Sequence, residues 1–432
     1  GNNMKLCVHG NTLPAWVSAA KLAEMGNQVL MRSSGLNNSF HPSREPELLT
    51  LLDAQKLSGR LVLASLTDAL PKDIHLHLLA LNLALPDIER LIADILTEST
   101  SNLLLIVHST LPVGSLDYLQ TFADKTLAQI NALHRVSVVG FPPFGRESTA
   151  LADFSRPAMV LLSGNDEVAI RLTLELLRPF VRNTTHVMTV PHTTAELIKL
   201  GVNAMLATRI SFINEMAALA EKLDVDIEQV RQGLAADPRI GGDYLQAGCG
   251  FGGPSFSSDL LSYAKTIKEE LDTSGLIDAV LAINESQREI LFRKIWRFFN
   301  GRLSGLNIAI WGAAFKAGTA SLENSVVQPL LHALWAQGCR TSVYDPMAGD
   351  SLRNLYGDQP LLTVVDSAAQ SIESADALVV VTAWDEFWSP DFDLLKEKLV
   401  QPVIFDGRNI YDPDYMKAQG FRYFAIGRGE SI

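Results

Sequence analysis

Three cysteines, Cys7, Cys249 and Cys339, are too few and too scattered for a disulfide framework or a thiolate metal site, and they suit a reducing cytoplasm. Basic charge is short as well: 36 Lys and Arg against 48 Asp and Glu leave a net charge of −12, which argues against a nucleic-acid-binding surface. No apolar run is long enough to span a bilayer, and no leader pattern opens the chain. The expectation is a cytoplasmic protein with no membrane partner. No Pro-, Gly- or Ser-rich linker and no low-complexity stretch interrupts the sequence, so its parts should pack compactly. What is present is ordinary globular composition, 47% hydrophobic and 19% charged, over 432 residues, enough for two or three domains with sizeable cores.

The opening reads as a βαβ unit. Residues 4–9 form a buried strand, Gly10 turns it, 13–25 is a helical pattern closed near Gly26, and NQVLMR is the next strand. This is where a dinucleotide-binding fold places its phosphate loop. The fingerprint G-x-G-x-x-G/A falls on Gly10, Thr12 and Ala15, so a branched side chain stands at the second position, and Pro14 removes a backbone N–H. The acid that holds ribose hydroxyls after the second strand is replaced by Ser33, preceded by Arg32. Arg32 with Ser33 suits a 2′-phosphate, hence NADP; the plainer reading is a solvated arginine at a strand end. His75 and His77 share a strand face but lack a third ligand, so a metal is set aside. A second βαβ unit begins at 306 with NIAIW, Gly312, a helix over 325–337 closed by Gly338, and TSVYD. The fold predicted is α/β, with two Rossmann-like doubly wound domains joined by a long helix: residues 1–190, a central helical domain 191–300, and residues 301–432. Trp296, Phe298 and Phe299 are expected to pack between domains.

The long helix opens the most informative stretch. Thr193 with Glu196 reads as a capping box, and Leu206, Ile210, Ile213, Ala217 and Ala220 recur at helical spacing. Lys199 and Asn203, four apart, share one helix face. A glycine-rich loop, GCGFGGPSF, follows and ends in Asp259. Taken alone, this is a core helix with a polar edge and a flexible loop. Taken together, a cation and an amide on a rigid helix beside bare backbone make a candidate active site.

ELIK, an asparagine four residues after its lysine, then SFINE, DPRIG and GFGG, in that order and spacing, resemble the UDP-glucose/GDP-mannose dehydrogenase family along nearly the whole chain. The resemblance implies a cytoplasmic homodimer that binds a nucleotide sugar and NAD. It implies that the sugar CH2OH is oxidised to a carboxylate in two hydride transfers, through a cysteine thiohemiacetal and a thioester. Carried over by motif, Lys199, Asn203, Asp259 and Thr110 (in HSTLPVG) become catalytic candidates. Arg239 (in DPRIG), Tyr244, Gly250, Gly252, Lys316 (in AFKAGT) and Arg408 (in DGRNIYD) become substrate-binding candidates. Gly10, Thr12, Ala15, Arg32 and Glu147 fall at the cofactor.

Several positions depart from the family pattern. The nucleophilic cysteine is Ser255, and a serine hydroxyl is essentially never ionised without an adjacent base. A thiol near pKa 8.5 approaches ionisation at neutral pH. Cys249, six residues earlier in the same loop, is read as structural. The first glutamate of the family's N-P-E-F-x-x-E-G is Pro143, which cannot serve as a base; the second aligns with Glu147. The nearby family lysine is Ser258, and an Asp-Asp pair is Ala320-Ser321. The reading is a family member that binds a nucleotide sugar with impaired oxidation. The alternative is an active NAD- or NADP-dependent dehydrogenase of altered chemistry.

Overall fold

The structure, a computed structural model, describes residues 3–34, 40–65, 67–273 and 275–432. The chain divides into two compact units, residues 1–201 and 202–432. A 32-residue helix, His192–Leu223 (the central helix), runs through the boundary.

The first unit holds an eight-stranded sheet. Its strands are β1 (Lys5–His9), β2 (Gln28–Ser34), β3 (Leu61–Ser65), β4 (Leu76–Leu79), β5 (Leu103–Val107), β6 (Val136–Gly140), β7 (Met159–Ser163) and β8 (His186–Val190), in the order β3-β2-β1-β4-β5-β6-β7-β8. All neighbours are parallel except β6 and β7. The order reverses between β1 and β4, the switch point where open parallel sheets bind ligands at their carboxyl ends. Apolar layers cover both faces, one around Leu6, Trp16 and Leu162, the other around Leu79, Ile92 and Leu105. β1 is buried on both faces, which is why LCVH reads as a continuous run rather than an alternation. The helix Leu13–Glu24 starts where Thr12 caps it, with Pro14 in its first turn.

The second unit repeats the design. Strands β9 (Asn307–Trp311), β10 (Arg340–Tyr344), β11 (Leu362–Val364), β12 (Ala377–Val380), β13 (Val403–Asp406) and β14 (Arg422–Phe424) form an all-parallel sheet ordered β11-β10-β9-β12-β13-β14. Ahead of it stand the helices Phe256–Leu271, Gly275–Arg288 and Ile290–Phe298. Asp272 takes a left-handed conformation at the first break. From residue 202 onward the central helix buries Ile213, Ala217 and Ala220 against Leu245 and Ile426, and Ala204 and Ala207 against Leu260 and Ile277. Phe298 packs on Phe405 and Phe424. Trp296 is 40% exposed and lies against Phe292 and Gly301.

Lys294, 2% exposed, meets Glu221 of the central helix at 2.5 Å, and the same carboxylate oxygen accepts the Gly427 amide. Removing one partner leaves a buried charge uncompensated. Lys294→Ala is therefore expected to destabilise this unit by about 3–5 kcal/mol in denaturant unfolding. Lys294→Met combined with Glu221→Gln, which removes both charges and keeps an acceptor for Gly427, is expected to recover most of that loss.

Candidate functional site

In the second unit the glycine-rich loop is held from two sides. Asn214 of the central helix accepts the Gly248 amide at 3.0 Å, Gln287 donates to the Gly248 carbonyl at 2.8 Å, and Asn284 bonds both backbone groups of Phe251. On the other side the Cys249 amide donates to Gly407, and the Gly253 amide donates to Glu323. A Cβ on Gly252 would lie 1.9 Å from the Asn324 carbonyl oxygen, so only glycine lets these two backbones meet. Gly250 has φ +107°. Cys249 is fully buried, and burial pushes its thiol pKa up, which leaves it a packing residue as read.

This arrangement gathers Gly250, Gly252, Lys316 and Arg408 about one loop. A Cβ on Gly253 would touch the Phe315 ring, beside Lys316, and Gly248 lies against the Arg408 guanidinium. Arg408 donates from Nε to the Val381 carbonyl at 2.7 Å, so its fork is pre-set at the carboxyl end of β13. Ser255 caps the helix Phe256–Leu271 by position, but its hydroxyl accepts no capping bond. Asp259 follows one turn later, buried, and accepts from Asn203 Nδ2 at 2.8 Å. Arg239 and Tyr244 are not brought to the loop by any hydrogen bond among the described residues. Arg239 is exposed and pairs with Asp237 in its own turn, and Tyr244 is exposed at φ +57°. Two contributors escaped sequence reading. Arg288 donates to the carbonyls of Phe251 and Asn324, and Asp345 accepts the amides of Ala313 and Ala314 and the Trp384 indole N–H. Asp345 ends a strand that follows Gly312, and that spacing was the available signal; Arg288 had none.

In the first unit, Gly10 has φ +148°, and a Cβ there would meet the Ala80 carbonyl oxygen at 2.0 Å. That bare approach beside a helix N-terminus fits a pyrophosphate. The next residues fit it less well. Thr12 Oγ1 accepts the Ala15 amide at 3.2 Å and donates to the Ala80 carbonyl at 2.9 Å, so the amide that an anion would use is already engaged. Among the described residues of β2 there is no carboxylate for a ribose. Arg32 is not solvated there, contrary to expectation. It is 3% exposed and donates to His9 Nδ1 at 3.1 Å. Glu147 lies in the loop after β6, whose Ser148 and Ala150 amides are held by buried Glu45.

His77 also finds different company. His75 faces Ser101, while His77, His9 and Cys7 place three ligand-type atoms within 4.8 Å. The hydrogen bonds argue against a metal. Arg32 occupies His9 Nδ1, His9 therefore donates from Nε2 to His77 Nδ1 at 2.9 Å, and the remaining His77 N–H goes to the Ile74 carbonyl. A cation would have to reverse this chain beside a guanidinium.

Thr110 and Lys199 line one cavity with Ser109, Phe141, Pro142 and Glu196 at the carboxyl ends of β5 and β6. Lys199 Nζ sits 4.6 Å from the Phe144 ring centroid. Glu196 does not close a capping box. The central helix begins one residue earlier than read, at His192, and the Glu196 carboxylate accepts instead from the Gly114 and Leu116 amides.

The second unit thus places a charged, bare-backbone loop, and the first a glycine turn ahead of a helix N-terminus, at the carboxyl ends of parallel strands, the architecture of a nucleotide-binding protein. The comparisons give the family. The NAD binding, central and UDP binding domains of the UDP-glucose/GDP-mannose dehydrogenase family match residues 4–181, 193–286 and 309–413. The chain is 36% identical to the UDP-glucose 6-dehydrogenase of Pseudomonas aeruginosa over 98% of both chains. It is 30% identical to UDP-glucose 6-dehydrogenase TuaD of Bacillus subtilis over 98% of this chain and 93% of that one. A solved UDP-glucose dehydrogenase from Pyrobaculum islandicum superposes with a TM-score of 0.85 at 27% identity, covering 99% of this chain and 98% of that one. The chain belongs to the UDP-glucose/GDP-mannose dehydrogenase family, and NAD is the cofactor that defines its N-terminal domain. Among the described residues no helix is long and apolar enough to cross a membrane.

Burial lowers the His108 pKa to about 4, although its Nδ1–H donates to the Phe141 carbonyl at 2.5 Å. A histidine held below its unfolded value stabilises the fold above that value, near 6.5, and the contribution is lost as pH falls towards 4. His108→Asn retains a donor without the titration. It is expected to lose about 2 kcal/mol less than the parent between pH 7 and pH 5, read by chemical denaturation.

Proposed function

We propose that this chain binds a nucleotide sugar through residues 202–432 and that its NAD-dependent, two-step oxidation of the sugar CH2OH to a carboxylate is impaired. The observation that carries this reading is Ser255. The thiohemiacetal route needs an ionised sulfur at this position, and the chain presents an exposed hydroxyl with no hydrogen-bonded base among the described residues. Thr12 at the phosphate loop and Pro143 for the family glutamate weaken cofactor and substrate handling independently. Lys316, Arg408 and the glycine-rich loop support retention of the nucleotide end, where a lysine and a pre-set guanidinium suit a diphosphate. In the first unit Lys199 suits an alkoxide or oxyanion beside Thr110; in the second, Asn203 suits an oxyanion and Asp259 a water.

The second reading, an active NAD- or NADP-dependent dehydrogenase of altered chemistry, draws support from the Thr110–Lys199 cavity. Calorimetric titration with UDP-glucose and a coupled assay for NADH separate the two. The expected result is saturable UDP-glucose binding with no uronate formed. Ser255→Cys alone is expected to leave that unchanged, since the phosphate loop is altered too. Uronate production by the unmodified protein would overturn the proposal in favour of the second reading.

The partner expected besides the small molecules is a second copy of the chain. Met205, Phe212 and Leu219 stand seven apart on the central helix, each at least half exposed, and Val202 and Leu223 continue the row at coiled-coil spacing. A second copy would bury this seam at roughly 1.5–3 kcal/mol per large side chain. Light scattering should give twice 47.2 kDa for the parent, and 47.2 kDa for Phe212→Glu. A monomeric parent would refute the assignment.

A further inference from the structure

The resemblance gives Glu196, the first residue of ELIK, no role at the site. That glutamate is 5% exposed on the central helix, one turn before Lys199. Its two carboxylate oxygens accept the Gly114 amide at 3.1 Å and the Leu116 amide at 3.2 Å, across 82 and 80 residues of chain. Those amides open the helix Ser115–Gln129, and its N-cap Gly114 lies four residues after Thr110. Between the two segments lies a cavity of about 10 Å³, the space of one water, lined by Ser109, Thr110, Glu196 and Lys199 among others.

We propose that Glu196 is the positioning residue of this pocket: its carboxyl clasps the start of the helix Ser115–Gln129, four residues after Thr110, onto the turn of the central helix carrying Lys199, and so fixes the space between them. The assignment rests on the reading that Thr110 and Lys199 face the reacting groups, but the clasp itself is a property of the protein without ligands.

The clasp is linked to protons. Burial raises the Glu196 pKa to about 7, and Asp117 on the clasped helix adds to the rise, against the three backbone amides of residues 114–116. Lys199 lines the same pocket, and among the described residues His192 on the central helix and His108 after β5 are titratable groups of this region. His108 and His192 are held neutral by burial. Because the closed turn holds the Glu196 proton more tightly than a solvated carboxyl would, closure is fully favoured below the ordinary glutamate value. The advantage is lost as pH rises through 7. The buried histidines change stability in the opposite direction, so the sign identifies the group.

Amide hydrogen exchange of residues 113–117 tests this. In the parent protein the protection factor of this turn, corrected for the intrinsic rate, should fall about tenfold from pH 6 to pH 8. Residues 119–127 of the same helix should not follow. In Glu196→Gln the profile of the turn should be flat. A glutamate with only a packing role would change overall stability but give the turn no pH profile of its own. A flat parent profile, or parallel profiles in parent and variant, would overturn the proposal. Should the variant fail to fold, the parent series alone decides. Adding NADH with UDP-glucose should further protect the turn. Failure of that arm alone would remove the reading of the pocket as a reaction site, while the exchange profile still decides the clasp.

Discussion

Much of the second unit depends on one close approach, the backbone of Gly252 against the carbonyl of Asn324. Any side chain there would force the glycine-rich loop away from the loop after β9. With the two in contact, the Gly253 amide and the Asn324 side chain complete a reciprocal pair of hydrogen bonds. The helix Phe256–Leu271 then begins at a fixed point, which sets Ser255 and Asp259. The central helix contributes Asn203 and Asn214 to the same region, so its polar edge is a set of buried, satisfied contacts rather than a solvated face.

A second device recurs in both units. Buried carboxylates accept several backbone amides each and hold turns at the carboxyl ends of the sheets. Glu45 holds 148–150, Glu196 holds 114–116, and Asp345 holds 313–314 and 347–348. Asp406 takes the amides of Arg408, Ile410 and Tyr411 with the Tyr423 hydroxyl. Each turn would otherwise carry orphan N–H groups at a helix start or a sharp bend. Part of the excess of acidic residues is therefore structural, and it rigidifies the loops that a ligand would meet.

The sequence made the periodic elements readable. Buried strand runs, the turns at Gly10 and Gly312, and the long helix follow from local pattern, and the ordered motifs pointed to the family. What escaped has a common cause. Glu196 looked like a capping-box partner of Thr193 because i,i+3 spacing is visible in a sequence, whereas a bond to residues 114 and 116 is not. Arg32 looked like a solvated strand end because nothing local announces His9 beside it in the adjacent strand. His77 was compared with His75, its neighbour by alternation, when its partner came from β1 through the parallel register that sets Cys7 beside His77. In each case the deciding contact crosses strands or many tens of residues, which propensity and period do not encode.

The same distinction bears on which residues report on activity. Asn203 and Asp259 tie the central helix to the helix Phe256–Leu271, and Asn214 fixes the glycine-rich loop, so these residues serve the fold whether or not a reaction occurs. Their presence discriminates poorly between a working dehydrogenase and a binding protein. Ser255 and Thr12 discriminate better. Ser255 is exposed and makes no side-chain bond among the described residues, so packing does not dictate its identity. Thr12 caps its helix, a role that glycine fills at a cost of only a few tenths of a kcal/mol. Thr12 also donates to the Ala80 carbonyl, so its identity has a structural reason as well. Serine at position 255 has no such contact among the described residues, which makes it the stronger support for the proposed reading.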